Sequence, residues 1–485
     1  MTTEAFDYYL RDASRRAPAP VGSYSGAAGG APCGDLVRVS IALDGGRIAA
    51  ASFDAEGCST ANAAGAAVAE LVEGVTVLDA ARMAPEDVAE ALGGLSPQGR
   101  HAAELAADAL HRALTGVVGS GEPLISRAPA HRRVLVAMSG GVDSAVAAWL
   151  ERERGAEVVA VTVKLWADQR TDGARSCCSP QAVLGARALA HSIDIPHLTM
   201  DLEEQFRATV VDDFVAGYAA GRTPNPCVRC NGLVRLDAMA DLAGRLGAPR
   251  LATGHYARIA TDGEVPRLVA PRDAAKDQTY MLSAVAPRTL ARLRFPLAEL
   301  TKAEVRRIAA DAELPVASKP ESQDLCFLAG EGKRSFLARH ARLPEREGEV
   351  VDRAGRTLGR HRGQHNFTVG QRRGLGIAAD APLYVLETDA EANRVVVGSR
   401  EELEVDRVFV RDAVLNSDGG TVDRVRLRYR SRPLACALEA GGAAPRRGRH
   451  RELVVRLAEP AATVAPGQTA SLMEGNAVVG YGTIA

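Results

Sequence analysis

The sequence predicts a multidomain chain: an α+β unit first, then an α/β doubly wound unit with a parallel sheet, then a β-rich, barrel-like C-terminal portion. Three observations carry this expectation. The 485 residues exceed what one ordinary core accommodates. From Arg132 the segments VLVAM, SGGVDS, AVAAWLERERG and EVVAVTV give a strand, Gly-rich turn, helix, strand rhythm. Beyond about Leu328 helical spacing fades into short alternating runs such as RVVVG, DRVFVRDAVL, DRVRLRYRS and RELVVRLAE.

Taken in order, MTTEAFDYYLRDASRR reads as a short amphipathic helix, not a signal peptide. Stretches 16–32 and 117–131 are rich in Ala, Pro and Gly and read as linkers, which makes residues 1–120 a separable domain. Within it VRVSIAL and RIAAASFDA form a hairpin across Asp44-Gly45-Gly46, and AGAAVAELVE and HAAELAADAL have helical spacing. Lys plus Arg number 59 against 60 Asp plus Glu, so any nucleic-acid surface is a local patch. Aromatic residues at 4% argue against an extended base-stacking platform. The sequence has no run of ~18 apolar residues, so a cytoplasmic protein without membrane contact is expected. The eight cysteines include the vicinal Cys177 and Cys178 and the C-x-x-C of Cys227 and Cys230, a pattern of metal or redox chemistry. Cys177 and Cys178 read as loop or buried thiols beside the nucleotide site, and Cys436 as a core position on a strand.

Ser139, Gly140, Gly141, Val142, Asp143 and Ser144 follow the strand that ends at Ala137 and Met138, and they open a helix. Backbone N–H groups and a helix N-terminus then converge on one point that suits a phosphate. No Lys follows the glycines, so this is not a Walker A loop; Asp143 is placed to act on the nucleotide's polar surroundings, through Mg²⁺. The motif resembles the pyrophosphate loop (PP-loop) of ATP pyrophosphatases, of adenine nucleotide α-hydrolase-like fold, which adenylate a carbonyl oxygen.

In GRTPNPCVRCN, 221–231, two prolines and Asn225 predict an extended, turn-bearing loop that displays its cysteines. KPESQDLCFL, 319–328, is a second loop presenting Cys326. With ATGHYA (252–257), KDQTYML (276–282) and TVGQRRGLGI (368–377), these motifs resemble the tRNA-specific 2-thiouridylases from about Arg132 onward. The resemblance implies a PP-loop domain over 131–328, a small central tRNA-binding domain over 329–403 and a β-barrel over 404–485. It implies Cys230 as catalytic nucleophile and Cys326 as the residue that carries sulfur as a persulfide. A Cys230–Cys326 disulfide would follow each turnover and need a reductant. ATP would meet residues 137–144, Val163 and Gly254. Asn225, Pro226 and Cys227 would meet the target base, and His255, Lys276, Asp277, Gln278, Arg428, Tyr429 and Gln468 would face tRNA. Uridine 34 of the Lys, Glu and Gln tRNAs is the implied substrate, and a cysteine desulfurase or sulfur carrier the implied donor.

Cys227 departs from the family, where Asp is frequent. It creates an alternative three-cysteine set, Cys227, Cys230 and Cys326, for a 4Fe-4S cluster, and the sequence leaves persulfide and cluster routes open. Arg353, Arg356, Arg360, Arg362, Arg372 and Arg373 form a basic stretch suited to phosphates. Tyr256, Tyr280 and Tyr429 are candidates for stacking a splayed base.

Before Arg132, Pro32-Cys33-Gly34-Asp35, Gly57-Cys58-Ser59 and Arg100-His101-Ala102 resemble the NifU/IscU/SufU iron-sulfur scaffolds, with Ala102 in place of their third cysteine. Cys33, Asp35 and Cys58 with His101 are then candidate ligands for zinc or iron, and a domain reduced to a docking surface is the alternative. Fusion suggests that this domain takes sulfur or a cluster from a desulfurase and delivers it in cis, tethering raising the donor's effective concentration. The rival readings are an amidating ATP pyrophosphatase and a non-enzymatic iron-sulfur carrier.

Overall fold

The computed structural model describes every residue except 1–3, 12–15, 31–33, 98, 126–129, 167, 169–178, 263–264, 321–324, 329, 342, 344, 440–442 and 463. Cys33, Cys177 and Cys178 therefore lie outside the described residues. Among those described, no helix is long and apolar enough to cross a membrane.

The first unit is α+β, as its patterning predicts. After α1 (Glu4–Arg11) come β1 (Tyr24–Gly29), β2 (Leu36–Asp44) and β3 (Arg47–Glu56), an antiparallel sheet in that order. Asp44 pairs with Arg47 around Gly45-Gly46, both at positive φ as a two-residue hairpin turn requires. Helices α2 (Ser59–Val72), α3 (Val77–Ala80), α4 (Pro85–Ala91) and α5 (Arg100–Gly119) follow. The alternating Val37, Val39 and Ile41 are fully buried in the same apolar cluster as alanines of α2 and α5. The 16–32 stretch is not simply a linker, because it supplies β1. In β1, Gly26 serves close packing: a Cβ there would stand 2.2 Å from the Ala109 carbonyl of α5.

The second unit runs through β4 (Arg133–Ala137), α6 (Val142–Glu153), β5 (Glu157–Lys164), α7 (Pro180–Ser192), β6 (His197–Asp201), α8 (Glu203–Phe206), α9 (Asp212–Ala219), α10 (Pro226–Cys230), α11 (Leu236–Arg245) and β7 (Arg250–Thr253). A hairpin of β8 (Arg258–Asp262) and β9 (Val265–Val269), α12 (Pro287–Leu290), β10 (Leu293–Arg294) and α13 (Lys302–Asp311) complete it. The strands β10-β7-β4-β5-β6 form a parallel sheet. Both faces are apolar because helices cover both. The order reverses beside β4, which sets a crevice at the carboxyl ends of β4 and β7 where such sheets bind ligands.

A helix not expected from the sequence, α14 (Lys333–His340), comes next; it buries only Phe336 and Leu337. Then β11 (Gly348–Val351), β12 (Thr357–His361), β13 (Tyr384–Asp389) and β14 (Arg394–Gly398) form a small sheet in the order β12-β11-β14-β13. The C-terminal strands are β15 (Val405–Leu415), β16 (Arg424–Arg426), β17 (Leu434–Glu439), β18 (Gly448–Ala461), β19 (Thr469–Glu474) and β20 (Ala477–Ile484). They close as a six-stranded barrel through β15–β20 pairing, and β9 of the second unit adds to β20. Cys436 lies on β17 against the barrel core, and burial pushes its thiol up to about 12.

The first unit is docked on the second. One continuous apolar cluster spans α2, α5, β5 and β6. Around it, Arg187 of α7 meets Asp108 of α5 at 3.0 Å with side chains only 10% and 14% exposed. The His111 and His191 rings lie 5.5 Å apart, and His191 Nε2 sits 3.0 Å from the Ala81 carbonyl. Arg82 reaches Asp194 at 2.7 Å, and Arg245 donates to the Val118 carbonyl at 2.6 Å and the Glu122 carbonyl at 2.8 Å. Burial, reinforced by Arg187, holds His111 and His197 well below the usual imidazole range. His191 is lowered too, chiefly by burial.

Candidate functional site

The loop after β4 is folded by its own serines. Ser144 Oγ donates to the Gly141 carbonyl at 3.0 Å and accepts from the Ser139 N–H at 3.1 Å, while Gly140 takes a φ of +68°. Helix α6 starts at Gly141 without a side-chain cap, so its first N–H groups face the crevice ready for an anion. A cavity of about 210 Å³ opens there, lined by Ala137, Met138, Ser139, Asp143, Ser144, Val163 and Gly254, among others. Gly254 is needed for the close approach of β7's end: a Cβ would stand 2.7 Å from the Asp143 carbonyl carbon and the Ser144 nitrogen. The donor set and the bare cradle fit a nucleotide phosphate.

Two lysines here escaped the sequence reading. Lys302 Nζ lies 2.6 Å from Asp143 Oδ1, which also accepts from Tyr256 Oη at 2.9 Å. Lys319 Nζ donates to the Gly140 carbonyl at 2.9 Å. Lys319 opens the KPESQD segment and could have been noticed. Lys302 could not, because Thr301 and Glu304 make its neighbourhood read only as a capping box. Asp143 Oδ1 is thus engaged by a lysine and a tyrosine, while the side chain stays 34% exposed.

The cysteine segment differs from its expectation. Asn225 caps a helical turn, accepting from the Val228 N–H at 3.2 Å, and Pro226 takes its first position. Residues 226–230 are therefore helix α10, not extended chain. Cys230 is buried, 8% exposed, and Cys227, three residues earlier, is half-buried. A π-helical turn, Asn231–Arg235, follows directly. Cys326 is half-buried and packs against the same apolar cluster that contains Cys230. Its neighbour Phe327 anchors it, 5.1 Å from the rings of Phe214 and Phe336.

The segment before α10 is held from two further units. Thr388 Oγ1 donates to the Gly221 carbonyl at 2.7 Å, and Gln364 Nε2 donates to the Ala219 carbonyl at 3.2 Å. From the barrel, the Pro466 carbonyl accepts from the Thr223 N–H at 2.7 Å and Gln468 Nε2 donates to the Thr223 carbonyl at 2.8 Å. Tyr280 Oη donates to the Thr469 carbonyl at 2.9 Å, and its ring is 6.4 Å from Tyr429.

Of the residues expected to face tRNA, His255 and Gln278 line the nucleotide cavity instead. Burial, then Arg235, pulls His255 down to about 3. Lys276 ends a short 3-10 turn, and Asp277 is taken by Arg426 of the barrel at 2.8 Å, side chains 11% and 12% exposed. Arg428 is exposed and Tyr429 half-buried, whereas Tyr256 and Tyr280 are buried and have no face left for a base. Four arginines of the basic stretch are ion-paired: Arg353 to Glu402, Arg356 to Asp352, Arg360 to Glu347 and Arg362 to Glu345. Lys333 lies 4.4 Å over the Tyr218 ring, and burial pulls it down to about 8.

Among the described residues no three His, Cys, Asp or Glu stand together as a metal site. Cys227, Cys230 and Cys326 are not among such groups, and Cys230 and Cys326 border one apolar cluster. In the first unit Asp35 and Cys58 do meet. Cys58 Sγ lies 3.3 Å from Asp35 Oδ2 and its N–H donates to Oδ1 at 2.7 Å, at the start of α2. His101 does not complete a trio with them, and Ala102 is 3% exposed in the core. Cys33, the remaining candidate ligand, lies outside the described residues, so the described part of the set is the Asp35–Cys58 pair.

Fold and site define a PP-loop nucleotide-binding domain with a cysteine helix at its crevice, preceded by a scaffold-like α+β domain and followed by a barrel. Family models match in the same order: "NifU-like N terminal domain" over 12–118, "tRNA methyl transferase HUP domain" over 132–330, "tRNA methyl transferase PRC-barrel domain" over 334–399 and "Aminomethyltransferase beta-barrel domain" over 419–484. A relative from Rubrobacter xylanophilus named bifunctional protein NifU/MnmA is 49% identical, covering 95% of this chain and 93% of its own. The tRNA-specific 2-thiouridylase MnmA of Acidithiobacillus ferrooxidans is 43% identical over 73% of this chain and 99% of its own. That of Geobacter metallireducens is 42% identical over 73% and 97%. The chain belongs to the MnmA family of tRNA-specific 2-thiouridylases, in the form fused to a NifU-like domain.

Proposed function

We propose that this chain is a tRNA uridine 2-sulfurtransferase acting on uridine 34 of the Lys, Glu and Gln tRNAs. The observation that carries the reading is the shared wall between the PP-loop cavity and the cysteine helix: Arg235, five residues beyond Cys230, lines the cavity. ATP, with Mg²⁺ on its phosphates, would lie on residues 137–144, with Lys302 and Lys319 countering the departing pyrophosphate. Its α-phosphate is taken by the uridine O2, which makes C2 open to attack. A persulfide on Cys326 attacks C2 and AMP leaves with the oxygen. The Cys230 thiolate then attacks Cys326 Sγ, the S–S bond to the transferred sulfur breaks, and 2-thiouridine departs. The two cysteines are left as a disulfide, and a reductant resets them.

Asn225, Pro226 and Cys227 stand at the base, and Arg428, Tyr429 and the central domain, 329–403, at the tRNA. The NifU-like domain, 1–120, receives sulfur from a cysteine desulfurase, and the protein works in the cytoplasm. Unmodified tRNA, ATP and a desulfurase with cysteine are incubated with the chain anaerobically, and the nucleosides are read by mass spectrometry. The reading requires 2-thiouridine with the native chain and none with Cys326→Ser or Cys230→Ser. Activity retained by both variants would overturn it.

A further inference from the structure

Arg235 has a donor inventory that the protein does not close. It ends the π-helical turn that begins at Asn231, the residue after Cys230. Its Nη2 spends both protons locally, on Asn231 Oδ1 at 2.5 Å and on His255 Nε2 at 3.1 Å. Arginine only donates, so His255 Nε2 is the acceptor and the imidazole proton sits on Nδ1, 2.8 Å from Thr253 Oγ1. A neutral imidazole at that place tolerates the guanidinium beside it, in keeping with the lowered His255. Arg235 Nε is buried and has no acceptor among the described residues, and the side chain lines the nucleotide cavity. A charged donor left without an acceptor is costly, which favours a shift of the guanidinium toward an anion in the cavity.

The other end of the residue is tied to the cysteine helix. Asn231 is 4% exposed and donates from Nδ2 to the Met281 carbonyl at 3.0 Å. On the next residue, Gly232, a Cβ would stand 2.5 Å from Ala284 Cβ, so the turn is clamped against its neighbour. Asn231 thus links Arg235 to the end of α10, where Cys230 sits. π-Helical turns of this kind are frequent at functional sites.

We propose that Arg235 is a positioning residue that senses the nucleotide: a phosphate oxygen of bound ATP completes its donor set, and through Asn231 the occupied cavity sets the posture of Cys230. This rests on the reading of the cavity as the ATP site. It makes the nucleophile responsive to ATP before tRNA arrives.

The test uses the full chain without tRNA. Iodoacetamide labelling of Cys230 is timed by peptide mass spectrometry with and without saturating ATP and Mg²⁺, alongside ATP binding by calorimetry. Native chain is expected to change its Cys230 labelling rate about fivefold or more on ATP binding, equivalent to ~1 kcal/mol of coupling. Arg235→Gln is expected to lose that response and to bind ATP roughly tenfold more weakly. Asn231→Ser is expected to bind ATP within about threefold of native yet lose the response, which a merely structural role for Arg235 does not produce. The proposal is overturned if native Cys230 is indifferent to ATP, or if Arg235→Gln responds as native does. A response without any 2-thiouridine formation would sink the assigned reaction and leave this inference standing; thiolation with no response would do the reverse.

Discussion

Replacing Asp108 with asparagine removes one charge from the seam between the NifU-like and nucleotide domains while keeping an oxygen that can accept from Arg187. The native pair is short, 3.0 Å, and both side chains are largely covered. Asp108 also accepts from Arg112 at 2.8 Å. Burial already draws Arg187 below its usual value, with Asp108 opposing that trend. Stripped of its countercharge, Arg187 remains in a low-dielectric seam beside three histidines. Breaking a fully buried pair costs ~3–5 kcal/mol, and residual exposure and the retained hydrogen bond bring the expectation to about 2–3 kcal/mol, a factor of roughly 30 to 150 in docking. Hydrogen exchange of the α5 and α7 amides reads the seam directly, and limited proteolysis around 120–131 gives a second view. Arg187→Met in the Asp108→Asn background should recover most of the loss, because the resulting Asn–Met pair carries no stranded charge. Unchanged exchange in Asp108→Asn, or no recovery in the double variant, would refute the claim that this ion pair fastens the domain.

Three further outcomes follow from the geometry. Gly254→Ala drives a Cβ into backbone at 2.7 Å and should weaken ATP binding by roughly a hundredfold or more, measured by calorimetry, with little change in tRNA binding. His111, His191, His197 and His255 all have folded-state values below the ordinary 6.5, so unfolded chain binds more protons below that pH. Their stability is complete above pH ~6.5 and is lost as pH falls, His255 down to about 3, each at up to ~1.4 kcal/mol per unit; urea midpoints at pH 7.5, 6.0 and 5.0 should decline in that order. In the NifU-like domain, Gly57→Ala places a Cβ 2.0 Å from Asp35 Oδ1 at a φ of +121° and should separate Asp35 from Cys58, seen as faster alkylation of Cys58.

Local chemistry was readable where it depended on neighbours in the chain. SGGVDS after an apolar strand specifies the phosphate cradle, because Ser139, Gly141 and Ser144 bond to one another. The Asp44-Gly45-Gly46 hairpin was legible for the same reason. What failed was non-local. Prolines in TPNPC suggested extended chain, yet Asn225 and Pro226 are also a cap and a first helical position, and tertiary packing chose the helix and buried Cys230. Among the arginines from 353 to 362, folding brings Glu402 to Arg353, Glu347 to Arg360 and Glu345 to Arg362, pairings that the linear sequence does not show. The small residues before β2 looked like slack, yet Gly26 proved to be a close-packing position against α5.

The grip on residues 219–223 has a consequence for synthesis. Two of its holders, Pro466 and Gln468, belong to the barrel, which follows the nucleotide domain in sequence. While the ribosome is still making the barrel, the nucleotide domain can fold around its cradle, yet the approach to α10 lacks part of its frame. A chain lacking the barrel would thus leave the approach to α10 without two of its holders. The barrel works as a latch on that segment.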